Sequence, residues 1–388
     1  MDDWLNTTLG SVLPFKYGKN LPKPSRTHTG EFQVVSSAGF VDTHFEPLTN
    51  GPTVVIGRKG SVGTVYYSAQ PVFPIDTTFY VEGSSEVDIR FAYYLLKWLP
   101  LTSMNSDSAV PGLNRTHAEN LEINLPSQIE QQAIAETLGA LDDKIESNRF
   151  IIRTAETLGS ALLQSKLDLG ESGIPDRWSD QRLGAFLEVL ETGSRPKGGV
   201  ISGQAGPISL GAESIQSAGV MSITSFKRIP EKFADSMKRG HLEEQDVLVY
   251  KDGGRPGNFI PHVSAFGQGF PANSATINEH VYRVRSGSGI SQGLLYWLLR
   301  SPWMDLEMRK RGTGVAIPGL NSSNFRDLPV PHIRLEIVEE LNETLAPLLA
   351  LMLRLAAVNM KLAELRDALL PELLSGRMRV PSEIGAPI

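Results

Sequence analysis

Two stretches of the chain carry apolar residues at alternating steps of three and four. The first runs through Ile134, Leu138, Leu141, Ile145, Asn148, Ile152, Ala155 and Leu162, with Gly159 in an intervening core place. The second runs through Val338, Leu341, Leu345, Leu348, Met352, Leu355, Asn359, Leu362, Arg366 and Leu369. A 3.5-residue period held over about four heptads predicts a coiled-coil seam. Each helix can span about 40 residues, hence about 60 Å at 1.5 Å per residue. Ser127 with Glu130 three residues on reads as a capping box that starts the first helix, and Gly170 and Gly173 stop it. Pro347 predicts a kink in the second helix or the end of a short leading segment. If the ends of a globular unit lie close together, the second helix runs back antiparallel to the first. Asn148 then meets Asn359, a polar pair that sets register. The other reading packs each helix on its own globular unit.

Between these helical stretches the pattern is that of short strands and short helices, an α/β (α+β) composition. Strand-like runs fall at 30–36, 53–57, 63–67 and 77–82, and again at 207–210, 246–250, 257–263 and 280–285. Short helices are expected at 89–98 and 291–300. The two sets form a repeat. Ala109-Val110-Pro111-Gly112-Leu113-Asn114 returns as Ala316-Ile317-Pro318-Gly319-Leu320-Asn321. Trp4 with Leu9-Gly10 returns as Trp178 with Leu183-Gly184, and Phe91–Trp98 as Leu294–Trp303. The chain therefore divides into a globular unit over 1–126, a long helix over 127–167, a second globular unit over 168–333, a second long helix over 334–376 and a tail over 377–388. Two copies are too few for a solenoid. Motifs kept while the sequence between them varies suit recognition of two different things in one geometry.

Composition narrows the function classes. With no cysteine there is no disulfide framework, Cys-type zinc site, iron–sulfur cluster or thiol nucleophile, and none of the seven histidines shares a helical ligand spacing with another, so no metal site is expected. No apolar run reaches the length of a membrane span, and the first residues lack a signal-peptide pattern, which predicts a cytoplasmic protein without a membrane partner. The net charge of −6 argues mildly against nucleic acid. Local charge decides phosphate contact, however, and cations gather in Gly/Pro/Ser-rich segments: Lys19 and Lys23; Arg58 and Lys59; Arg195 and Lys197; Lys227 and Arg228; Lys251 and Arg255. The loop Gly57-Arg58-Lys59-Gly60-Ser61-Val62-Gly63 offers amides, the Ser61 hydroxyl and two cations at a turn, all suited to phosphate. It is echoed, one residue longer, by Lys251–Gly257, which Asn258 follows. A hairpin turn with solvated charges is the alternative for either loop alone. Asn114 and Asn321 each precede a short helical segment and are expected to cap it; a base contact is the other duty open to them. No repeated His, Asp or Ser constellation, P-loop or methyltransferase motif marks a catalytic site.

Taken together these residues resemble the specificity (S) subunits of type I restriction-modification systems. The resemblance covers Trp4 to about Arg379. It rests on the doubled globular-plus-helix plan, on Pro126-Ser127-Gln128-Ile129-Glu130-Gln131-Gln132 at the start of the central helix, and on Leu365-Arg366-Asp367-Ala368-Leu369-Leu370-Pro371-Glu372-Leu373-Leu374-Ser375-Gly376 at the end. The family usually has Pro-Pro-Leu before Glu-Gln, and the second helix here begins Leu335-Glu336-Ile337-Val338 instead. The resemblance implies a non-catalytic protein whose globular units are target recognition domains, each reading half of a split double-stranded DNA site, with the antiparallel helices as spacer. It implies two methyltransferase (M) subunits on the helical region and restriction-translocase (R) subunits beside them. S-adenosylmethionine would belong to the former, ATP and Mg to the latter, and no cofactor to this chain. A coiled-coil scaffold or adaptor that touches no nucleic acid is the alternative, favoured by the acidic charge and opposed by the basic loops.

Overall fold

The computed structural model describes residues 4–104, 112–199, 205–220, 226–255, 258–287, 289–312 and 318–380. The fold is mixed α/β, and packing divides the chain into two compact units, residues 1–143 with 363–388 and residues 144–362. The two long helices, Gln128–Ser165 and Leu335–Leu374, each contribute one part to either unit.

In the first unit, Leu5–Thr8 pairs antiparallel with Glu122–Leu125, the strand that leads into the long helix. A four-stranded antiparallel sheet has the order Lys16–Tyr17, Thr78–Glu82, Thr53–Gly57, Val65–Ser68. Phe32–Ser36 lies parallel to Val72–Pro74 and antiparallel to Gly39–His44. Val54, Ile56 and Phe79 of the four-stranded sheet and Phe91, Tyr94 and Leu95 of the helix Ile89–Trp98 share one core with Ile134, Ala135, Leu138, Leu373 and Leu374 of the long helices. Polar bonds fix that packing. The Tyr94 hydroxyl donates to Asp142 at 2.8 Å, Arg366 pairs with Asp142 at 2.6 Å, and Arg90 donates to the Gly139 carbonyl at 3.2 Å while pairing with Asp143.

The second unit has corresponding parts. Trp178–Arg182 pairs antiparallel with Pro329–Pro331, and a four-stranded antiparallel sheet has the order Leu187–Thr192, Val281–Ser286, Val247–Tyr250, His262–Ala265. Ile208–Leu210 lies parallel to Ala275–Ile277. One residue of the first long helix, Glu156, takes three hydrogen bonds from the helix Gln292–Arg300. Its carboxylate accepts from the Tyr296 hydroxyl at 2.8 Å and Arg300 Nε at 2.9 Å, and its carbonyl accepts from Trp297 Nε1 at 3.2 Å. Contacts between the two long helices in this unit come in reversed order: Lys166 pairs with Glu340 at 2.6 Å, and Asn148 Nδ2 donates to Asn359 Oδ1 at 2.8 Å. Asn148 is fully buried, and its own Oδ1 has no partner among the described residues.

Several expectations need correction. The second long helix runs unbroken through Pro347, which ends no leading segment. Pro347 is exposed, so water can reach the Glu343 carbonyl left without its intrahelical donor. The run 257–263 is two strands, Asn258–Phe259 and His262–Ala265, because Pro261 has no N–H to continue a ladder. Leu163 rather than Leu162 is the deeply buried residue late in the first helix, as a straight helix drifts from a strict heptad. The second long helix is, by length and composition alone, apolar enough to cross a bilayer, against the expectation of no such run. Part of that apolarity is buried in protein, since Leu341, Leu345, Leu349, Met352, Leu353 and Ala356 all lie in the second unit's core.

Glycine on the first long helix has a packing reason. A Cβ on Gly159 would stand 2.2 Å from the Trp297 indole, a rigid buried ring, whereas one on Gly139 would meet only the Arg90 guanidinium, at 2.7 Å. Gly159→Ala should therefore destabilise the protein by about 1–3 kcal/mol through overpacking. Gly139→Ala should be near neutral, because Arg90 can shift and Ala favours helix by about 1 kcal/mol. Thermal melts of both variants check this; equal melting temperatures would show that Trp297 does not require the glycine.

Candidate nucleic-acid interface

The repeated motif builds the same backbone lock in each unit. Residues 109–111 and 316–317 lie outside the described residues, but the remainder of each copy is placed. The Leu113 N–H donates to the Arg58 carbonyl at 2.9 Å, and the Leu320 N–H donates to the Lys251 carbonyl at 2.6 Å. Gly112 bridges to Lys59 as Gly319 bridges to Asp252. Asn114 then caps Arg115–Glu119, its Oδ1 accepting from the His117 N–H at 3.1 Å, and Asn321 caps Ser322–Arg326, accepting from the Asn324 N–H at 2.8 Å. The glycine of each Leu-Gly pair packs against the capped helix. A Cβ on Gly10 would stand 2.5 Å from Glu119, and one on Gly184 would stand 2.9 Å from Arg326. Capping and close packing thus account for the asparagines and the Leu-Gly pairs.

The lock holds a basic loop against an aromatic ring. In the first unit Arg58 lies over Phe79 at 5.8 Å and over Tyr17 at 5.3 Å, and donates to the Asp76 carbonyl at 2.9 Å. Lys59 and Ser61 are exposed. Gly60 and Gly63 have φ of +78° and +72°, and a Cβ on Gly63 would stand 2.4 Å from the backbone at Leu101 and Thr102, so the turn itself demands these glycines. Arg115, just past the capping Asn114, lies 5.7 Å over the same Tyr17 ring. Tyr17, Arg58, Lys59, Phe79, Arg115 and Thr116 are among the residues that line an open cavity of about 360 Å³.

In the second unit Lys251 lies 5.7 Å over Tyr282, the counterpart of Arg58 over Phe79. Here, however, it pairs with Asp252 at 2.6 Å, and Asp252 also holds His280 Nδ1 at 2.6 Å. Burial, with Asp252 second, pushes the Tyr282 phenol up to about 12, so it stays a neutral donor to the Leu320 carbonyl at 2.9 Å. Arg255 opposes Asn258 in a two-residue ladder; their side chains lie outside the described residues. Beyond the loop a wider cavity of about 780 Å³ is lined by Tyr250, His262, Gln216, Arg300 and neighbours, with the Tyr250 and His262 rings stacked at 6.1 Å. Burial lowers the His262 pKa, with Arg309 contributing, which favours the neutral ring.

The other cations singled out by sequence stand apart from the locks. Lys19, Lys23 and Lys197 are exposed. Arg195 pairs with Glu279 at 2.5 Å and Lys227 with Glu213 at 2.6 Å, while Arg228 donates to the Gly206 carbonyl at 2.8 Å. Burial works to raise the Glu213 carboxyl, yet Lys227 and Arg195 help hold it below the usual range. Such exposed pairs contribute about 0–1 kcal/mol and exchange readily for another anion. Sequence reasoning missed Tyr17, Arg115, Tyr250 and His262. Arg115 had a visible signal in following the motif asparagine directly, and Tyr17 in sitting among the cations of residues 16–23. Among the described residues no group of three or more His, Asp or Glu side chains stands ready for a metal ion.

Comparison with known proteins shows what this chain is similar to. Residues 1–157 match the type I restriction modification DNA specificity domain. Over those residues the chain is similar to the specificity subunits of type I restriction-modification systems. A putative type I specificity subunit of Mycoplasma pneumoniae is 29% identical over 164 residues, which are 40% of this chain and 43% of that relative, so the chain matches under half of that relative's length. The MjaIX type I restriction enzyme specificity subunit of Methanocaldococcus jannaschii is 24% identical over 351 residues, 84% of this chain and 78% of that one. The crystal structure of the type I restriction-modification S subunit from M. genitalium shares the fold, with a TM-score of 0.62, 18% identity and 96% of each chain covered.

The two asparagine caps are structural. Asn114→Ala and Asn321→Ala should each lower stability by about 0.5–2 kcal/mol, the usual cost of an N-cap. Chemical denaturation measures it; a loss of DNA affinity with unchanged stability would instead make the asparagines contact residues.

Proposed function

We propose that this chain is the DNA sequence-recognition subunit of a type I restriction-modification complex, each globular unit reading one half of a bipartite double-stranded site. One observation carries the proposal. Both units hold a loop of different charge in the same backbone lock, as expected of two readers that share a scaffold and differ in target. Residues 1–126 and 168–333 act as target recognition domains, and 127–167 and 334–376 as the spacer. Lys19, Lys23, Arg58, Lys59 and Ser61 serve one half-site. Arg195, Lys197, Lys227, Arg228, Lys251, Arg255 and Asn258 serve the other. The long helices pair as an antiparallel coiled coil, set the unread gap and dock two methyltransferase subunits, which restriction-translocase subunits join. This chain performs no chemistry. S-adenosylmethionine, ATP and Mg belong to those partners, and the complex works in the cytoplasm on DNA without a membrane.

Support for the pairing comes from the Asn148–Asn359 bond and the Lys166–Glu340 pair. An adaptor that binds no DNA is favoured by the net charge of −6 alone. Salt-dependent retention on mixed-sequence duplex, with and without a methyltransferase partner, separates the two, and absence of retention in both cases favours the adaptor.

Exchanging residues 178–325 for the matching region of another specificity subunit should change one half of the methylated motif and leave the other intact, as read by methylome sequencing of a host. A change in both halves would sink the bipartite proposal. At the coil, replacing one of Asn148 and Asn359 with Leu strands a buried amide at a cost of about 1–3 kcal/mol, so either single variant should melt lower than the double variant. A double-mutant cycle gives the coupling; additive effects would mean that the two amides do not depend on each other.

A further inference from the structure

We propose that Arg58, Lys59 and Arg115, arranged around Tyr17, form a clamp in the first unit for one phosphodiester of the duplex, a gripping site rather than a base-reading one. The inference rests on the DNA-recognition role above and assigns a chemistry to one part of it. Two guanidinium groups lie against a single ring, Arg58 at 5.3 Å and Arg115 at 5.7 Å from the Tyr17 centroid, with exposed Lys59 on the same open cavity. Among the described residues the one carboxylate bonded to any of these cations is Glu119, which takes Arg115 Nε at 2.9 Å and also accepts the Phe15 N–H at 2.7 Å. Three cations face one carboxylate that is already shared. Like charges held this close repel, and an anion among them relieves the repulsion. Arg58 Nε is moreover buried without a partner among the described residues.

The fold does not need these cations. At the equivalent places of the second unit Asp252 stands for Lys59 and Ser322 for Arg115, yet the backbone lock and the helix cap are made in the same way. What the scaffold requires at these positions is backbone, so the charge in the first unit is left for a ligand. The cavity is lined by guanidinium, ammonium, Tyr and Thr groups, and its asparagine carbonyl is occupied by the cap. The guanidinium and ammonium groups can only donate, which suits a phosphate, whose oxygens only accept; a guanine edge, with its N7 and O6 acceptors, is the base that such donors would fit, and the sequence dependence of binding separates the two.

The test measures duplex binding by the full chain, in complex with its methyltransferase partner, across a salt series, with Lys59→Gln and Arg115→Gln compared to the parent. Each lost phosphate contact should lower the slope of log K against log salt by about 0.9, and both variants should weaken cognate and mixed-sequence duplex by the same factor while the methylated motif stays unchanged. Lys59 is exposed and outside any ion pair among the described residues, so its variant separates the charge effect from any folding defect of the Arg115 variant. A parent that binds no duplex at all would defeat the DNA-recognition role itself. A parent that binds, with variants of unaltered slope, would defeat the clamp alone. Weakening confined to the cognate sequence would make the cluster a base reader and overturn the proposal. Inorganic phosphate raising the melting temperature of the parent but of neither variant, with unaltered slopes, would assign the site to a free anion and overturn it as well.

Discussion

Two helices of 38 and 40 residues carry apolar stripes along almost their whole length, and burying those stripes is the constraint around which the rest is arranged. At 1.5 Å per residue each is about 57–60 Å long, and an isolated stripe of that length cannot stay in water. The chain meets the demand in two sections. In the first unit Ile134, Ala135 and Leu138 join Leu373 and Leu374 in one core with the sheet and the helix Ile89–Trp98; in the second, Ile152, Ala155 and Leu163 join Leu341, Leu345 and Met352 with the sheet and the helix Gln292–Arg300. The main core of each globular part includes the long helices, and only smaller clusters, such as Val35, Val55, Val72 and Tyr80, leave them out. The buried surface of the second helix is accordingly wider than a two-stranded seam, because Leu349, Leu353 and Ala356 enter the second unit's core beside the seam residues.

Polar groups turn that packing into a specific arrangement. Burial alone tolerates sliding by a turn; a hydrogen bond at a fixed height does not. Glu156 takes three donors from one short helix, so Tyr296, Trp297 and Arg300 index it to one turn of the long helix. Asp142 takes Tyr94 and Arg366 in the other unit and does the same work. Gly159 lets the indole of Trp297 approach near enough for its bond to be made. Asn148 and Asn359 add a third index, at the cost of one buried amide oxygen left without a donor among the described residues. A defect of that size is tolerated where register matters more than the last increment of stability.

The parts of this organisation that depend on periodicity were legible in sequence. Both long helices, their polar register pair, the strand Thr53–Gly57 and the helix Ile89–Trp98 fall where the pattern places them, since each buries a regular face. Parts that depend on non-local pairing were not. Leu5–Thr8 and Trp178–Arg182 show no strand alternation, and each is a strand because a partner more than a hundred residues away completes it. Pro347 reads as a breaker because local sequence does not reveal that its helix face is exposed. At the interface the motif glycines and asparagines were visible, but their reasons, a positive φ, a close helix or a cap, are backbone reasons. The side chains that vary around them carry no periodic signal.

That division explains why the scaffold of such a chain can be read and its target cannot. The lock consists of a Leu N–H to a loop carbonyl and an Asn cap, and neither bond senses the side chain at the loop position it holds. Lys59 and Asp252 occupy the same place in the two units with opposite charge, as do Arg115 and Ser322 with and without charge, and the backbone geometry does not respond. Because folding energy is nearly indifferent to these positions, nothing in the physics of the fold restricts what stands there, and selection on what the loop touches is free to change it. Recognition residues in this architecture are therefore found by asking where the two units agree in backbone and disagree in charge. By that criterion the first unit's loop is the one proposed to grip DNA, and in the second unit's loop Asp252 engages both Lys251 and His280.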